Sequence, residues 1–72
     1  MTKDYEALRE RLEQLVDSFS ILDVVSALSY VCYEKAEHLR SNWQDSRTGD
    51  AWGQVGSALD KVEALPVVVA LG

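Results

Sequence analysis

Apolar side chains recur at helical spacing along most of this chain. Tyr5, Leu8, Leu12, Leu15 and Phe19 stand three, four, three and four apart, with Glu6, Arg9, Glu10, Arg11, Glu13 and Gln14 filling the positions between. That period places the apolar groups on one stripe of an α-helix and the charges on the other. A first helix is expected at about residues 3–17, with Thr2 as its cap and Asp4 in the first turn facing the positive end of the helix dipole.

The next break is short and has the marks of a helix start. Ser20 suits an N-cap, Asp23 stands three residues on, and Phe19 and Val24 sit where a hydrophobic staple needs them. Helix 2 is expected at about residues 21–40, with Ile21, Val25, Leu28, Cys32, Ala36 and Leu39 on one stripe. Val24, Val31 and Tyr30 or Tyr33 carry apolar character around its other sides. A helix apolar nearly all round is contacted from more than one direction. Helix 2 is therefore expected to be central, with helix 1 antiparallel beside it.

Residues 41–50 hold the densest run of turn formers, with Ser46, Thr48 and Asp50 as competing caps for a third helix. That helix is expected at about residues 50–65, with Trp52, Val55, Leu59 and Val62 as its seam and Pro66 as its stop. Gly53 and Gly56 inside it each cost roughly 1 kcal/mol relative to alanine. Either its first turn is irregular, or these glycines with Ala51 and Ser57 form a flat patch for close approach. After Pro66, the run Val67, Val68, Val69, Ala70, Leu71 is apolar and β-branched, and an extended path is expected. It could lie over the helices, pair with its own copy, or be a loose end.

The fold expected is thus all-α, three helices and an extended tail forming one domain over residues 1–72. Tyr5, Leu8, Leu12, Leu15, Val25, Leu28, Cys32, Trp52, Val55 and Leu59 are its expected core. With 72 residues, a single core supplies only about 3–5 kcal/mol, so a fold of this size leans on disulfides, metal, association or very good helix packing. One cysteine excludes an intrachain disulfide, and one Cys with one His cannot alone make a structural zinc site. Packing and association are left.

Charge narrows the partners. Twelve acidic against seven basic residues give a net charge of −5, which repels phosphate backbones, so direct nucleic-acid binding is not expected. The polar N-terminal stretch lacks the apolar core of a secretory signal, and nowhere do 18 apolar residues run together. A cytoplasmic protein with no membrane segment is expected.

The chemistry-bearing residues are few. Glu34 and His38 lie four apart on a helical face, but neither Glu-x-x-His nor His-Glu-x-x-His is present. The pair reads as mutual support at a solvated helix end. Cys32 falls on the core stripe, where a thiol behaves as a small hydrophobe. No catalytic residue, cofactor or metal is expected, and the chain is not expected to be an enzyme.

What stands out is apolar surface in excess of what one small chain can hide. A self-associating protein–protein interaction module, a homodimer or a subunit of a larger assembly, is the function expected. Val24, Val31, Trp43, Val67, Val68, Val69 and Leu71 are its candidate surface, with Trp43 serving either as a plug on the core or as a binding anchor. From another class comes a small acidic inhibitor, or nucleic-acid mimic, docking on a basic partner surface.

Overall fold

A computed structural model describes the backbone of residues 3–43 and 46–72 and the side chains of residues 4–41 and 46–72. The chain is all-α: α1 (Lys3–Ser18), α2 (Ile21–His38), a π-helical turn (Leu39–Trp43), α3 (Ser46–Glu63) and α4 (Pro66–Leu71). Thr2 and the side chain of Trp43, both assigned roles above, lie outside the described residues.

Between α1 and α2 the chain turns at Ser20, whose Oγ accepts a hydrogen bond from the Asp23 N–H at 3.1 Å. This is the cap the sequence signature called for. Helix 3 begins at Ser46, four residues before the expected start. The extra turn brings Gly49 against α2, where a Cβ would lie 3.1 Å from the Ala36 carbonyl oxygen and 3.0 Å from Arg40 Cγ.

The core is the contact between α2 and α3, built from small residues. Val25, Ser29, Cys32 and Ala36 form one face of α2 and are buried. Facing them, α3 presents Gly49 and Gly56, both buried, and a half-buried Gly53. Absent side chains let the two backbones approach, which is the reason three glycines stand within one helix despite their propensity cost. Ala51 and Ser57, expected in the same patch, are exposed on other faces.

This close contact displaces the expected core. Trp52 and Leu59 flank the glycine face and are half-buried, while Val55, farther round the helix, is 48% exposed. Cys32 and Val25 are buried as expected; Leu28 is 48% exposed.

The tail is not extended. The residue before Pro66 takes the extended conformation that proline imposes (Leu65 φ −63°, ψ 130°), ending α3. Pro66 then opens a new helix, since its fixed φ and missing N–H cost nothing in a first turn. The N–H groups of Val68 and Val69 both donate to the Leu65 carbonyl at 3.0 Å. Val68 is buried and Gly72 is packed against Leu22 of α2.

α1 is not packed along α2. It makes little contact with α2, whereas α2 and α3 are in extensive contact. Its whole expected core seam is open: Tyr5, Leu8, Leu12, Leu15 and Phe19 are 42–65% exposed. The molecule is correspondingly flat and expanded, 38 × 33 × 18 Å with a radius of gyration of 14.2 Å, against about 11 Å for a compact domain of this length.

Candidate interaction surface

The open angle between α1 and α2 is an apolar groove of about 440 Å³. Leu12, Leu15 and Phe19 of α1 form one wall. Val24, Ala27, Leu28 and Val31 of α2 form the other, and among the described residues Asp23 is the only charged one on its lining. α2 thus has two apolar faces roughly a quarter-turn or more apart. The small one takes α3, and the bulky one, with Val24 and Val31, is left facing α1 across the groove.

Val31 also belongs to a second, shallower depression of about 550 Å³, shared with Lys35, Leu39, Thr48 and Trp52. Here Lys35 Nζ stands 5.7 Å from the centre of the Trp52 ring, within cation–π range. Glu34 and His38 also line this depression, so the apolar surface that begins on α1 gives way to polar side chains beyond Val31.

The residues singled out from the sequence divide three ways. Val24 and Val31 line the groove. Val67, Val69 and Leu71 are 56–69% exposed on α4 but do not line it. Val68, expected on the same surface, is turned inward at 8% exposure, where α4 rests on α2 and α3. The α1 seam, expected in the core, supplies instead the groove's other wall.

On the opposite side of α2, polar groups cross to α3. Ser29 Oγ donates to Asp60 Oδ1 at 2.5 Å, with the Gly56 carbonyl 3.2 Å away as a weaker second acceptor for the same proton. Tyr33 Oη donates to Asp60 Oδ2 at 2.7 Å. The Ser29 bond first, and the Tyr33 bond second, hold the Asp60 carboxyl below its ordinary range. The bond to Asp60 in turn raises the Tyr33 phenol, because ionising it would remove the donated proton. Asp60 thereby accepts from both sides of one α2 turn and fixes the register of α3 on α2.

At the other end of the same contact, Arg40 Nη2 pairs with Asp50 Oδ1 at 2.7 Å, with both side chains about half exposed. Such a pair is worth about 0–1 kcal/mol. More important is the Arg40 stem, which lies over Gly49 and reaches toward Gly53.

Glu34 and His38 have no third ligand: among the described residues no group of three His, Cys, Asp or Glu side chains is placed to hold a metal ion. Cys32 is 1% exposed. Among the described residues no helix is long and apolar enough to cross a membrane. No protein-family model, no curated protein and no solved structure matches the chain.

Proposed function

We propose that the chain is a non-enzymatic protein–protein interaction module of the cytoplasm, and that the groove between α1 and α2 is its docking face. One observation carries this: five large apolar side chains in register on α1 are each at least 42% exposed, and three of them, Leu12, Leu15 and Phe19, stand opposite a second apolar wall on α2. Contiguous apolar surface of this kind marks interaction sites in soluble proteins. A helix of 16 residues is also marginal in water without a packed face. A partner that covers the seam would supply the packing α1 lacks. Reactive groups support no competing role, since the thiol of Cys32 is sealed in the α2–α3 contact and a reducing compartment suits an unpaired cysteine.

Small-angle X-ray scattering extrapolated to zero concentration tests the proposal. An isolated chain with an open docking face keeps a radius of gyration near 14.2 Å or expands as α1 frays. A compact monomer near about 11 Å means that α1 closes on α2 within one chain, and no docking face exists.

A further inference from the structure

We infer that the occupant of the groove is a second copy of this chain, docked about a two-fold axis so that α1 and α2 of both copies build one shared four-helix core. This rests on the docking face proposed above and commits to its partner.

Area points to a second copy. The chain exposes 5772 Å², whereas a compact monomer of its mass exposes about 4,450 Å². The surplus is about 1,300 Å² per chain. Removing it from two copies buries roughly 2,600 Å² in total, within the 2,000–5,000 Å² of obligate homodimers.

Chemistry points the same way. A two-fold interface brings each patch against itself, so the patch has to be self-complementary. The groove satisfies that: its walls are aliphatic on both sides, with Phe19 added on the α1 side and the carboxylate of Asp23 the one charge among its described lining residues. A basic partner would find no row of carboxylates inside it. The three-four-three-four spacing of Tyr5, Leu8, Leu12, Leu15 and Phe19 is also the seam that packs best against another helix of the same kind, knobs into holes.

Charge sets the salt response. Each copy carries −5, so two copies repel at long range while their apolar faces attract. Added salt screens the repulsion and tightens the dimer. An acidic chain docked on a basic surface behaves the opposite way.

Sedimentation velocity and light scattering on the full chain, across a concentration and salt series, decide the matter. Expected is a monomer–dimer equilibrium that shifts toward dimer as sodium chloride is raised. Leu12→Glu should weaken it by about 30-fold per copy, and by about 1,000-fold in all because the axis places the residue twice. Val31→Glu, on the other wall, should act alike. Both sites are more than two-fifths exposed, so retained helical circular dichroism is expected to confirm that each variant folds. Val67→Glu, exposed on α4 away from the groove, should leave the dimer unchanged.

A dimer broken by Val67→Glu and untouched by Leu12→Glu overturns the inference, as association would then run through α4. A chain that stays monomeric at every concentration and salt also overturns it. If that monomer keeps its expanded radius, the docking face survives and belongs to another polypeptide. If it is compact, the docking face falls with the dimer.

Discussion

Replacing Gly49, Gly53 and Gly56 by alanine, one at a time, should move stability in opposite directions although all three lie in one helix. On propensity alone each substitution gains about 1 kcal/mol. What differs is the space. At Gly53 the new methyl would meet only the tip of Arg40, Nη2 at 3.4 Å, an ordinary van der Waals distance, so most of the gain survives as about 0.5–1 kcal/mol. At Gly49 it would stand 3.1 Å from the Ala36 carbonyl oxygen, a backbone atom that moves only if α2 and α3 separate. Overpacking of that kind costs about 1–3 kcal/mol, leaving a net loss of roughly 0–2 kcal/mol. At Gly56 three atoms of the Tyr33 ring lie at 3.1–3.2 Å. The ring must tilt and strain its bond to Asp60, giving a net loss of about 1 kcal/mol. Thermal unfolding followed by helical circular dichroism, at one fixed low concentration so that association does not shift the midpoint, resolves these differences. Each kcal/mol is worth about 4–8 °C for a domain of this size. Gly53→Ala should melt above the parent, and Gly49→Ala and Gly56→Ala below it. If Gly49→Ala stabilises as much as Gly53→Ala, the helices are not in close approach and the small-residue core is wrong.

Two further predictions concern the same packing. The lowered Asp60 carboxyl contributes stability above the ordinary carboxylate pKa, and that share is lost as pH falls through its native value. The raised Tyr33 phenol contributes below the ordinary tyrosine value, and its share is lost as pH rises through the native one. Urea midpoints should therefore fall at both ends of the pH range, and Asp60→Asn should flatten the acid limb; an acid limb unchanged in Asp60→Asn would remove Asp60 from this role. On α4, Val68→Asp should destabilise by about 2–4 kcal/mol by burying a charge, while Val67→Asp should stay within about 0.5 kcal/mol of the parent. Equal effects at both positions would mean that α4 does not dock as a helix.

Periodicity made α1 and α2 legible to within a residue or two at most ends, because their apolar spacings are regular and Ser20 is a good cap. It did not reveal which apolar face would find the closest partner. Leu28 and Cys32 both lie on the stripe read from α2, yet the contact with α3 selects the side where Ser29, Cys32 and Ala36 are small. That choice depends on Gly49, Gly53 and Gly56 some twenty residues away, and helical spacing alone points only to Gly53 and Gly56 as a possible patch. With α3 on the small face, the bulky face of α2 stays across an open groove from Leu12 and Leu15, and the α1 seam remains exposed. Their strict three-four spacing was the available sign, since a seam that narrow suits a helix partner better than a broad core. The tail departs from the expected extended path because β-branched residues favour strands only on average, and Pro66 in a first turn outweighs them here.

The most direct measurement is hydrogen exchange of the α1 amides as a function of protein concentration. If the α1 seam is covered by a second chain, protection in Lys3–Ser18 should be weak at high dilution and rise in step with dimer formation. Protection across the α2–α3 contact should hardly change. Strong protection of α1 at the lowest concentration would contradict the account, because the chain would then be covering its own seam.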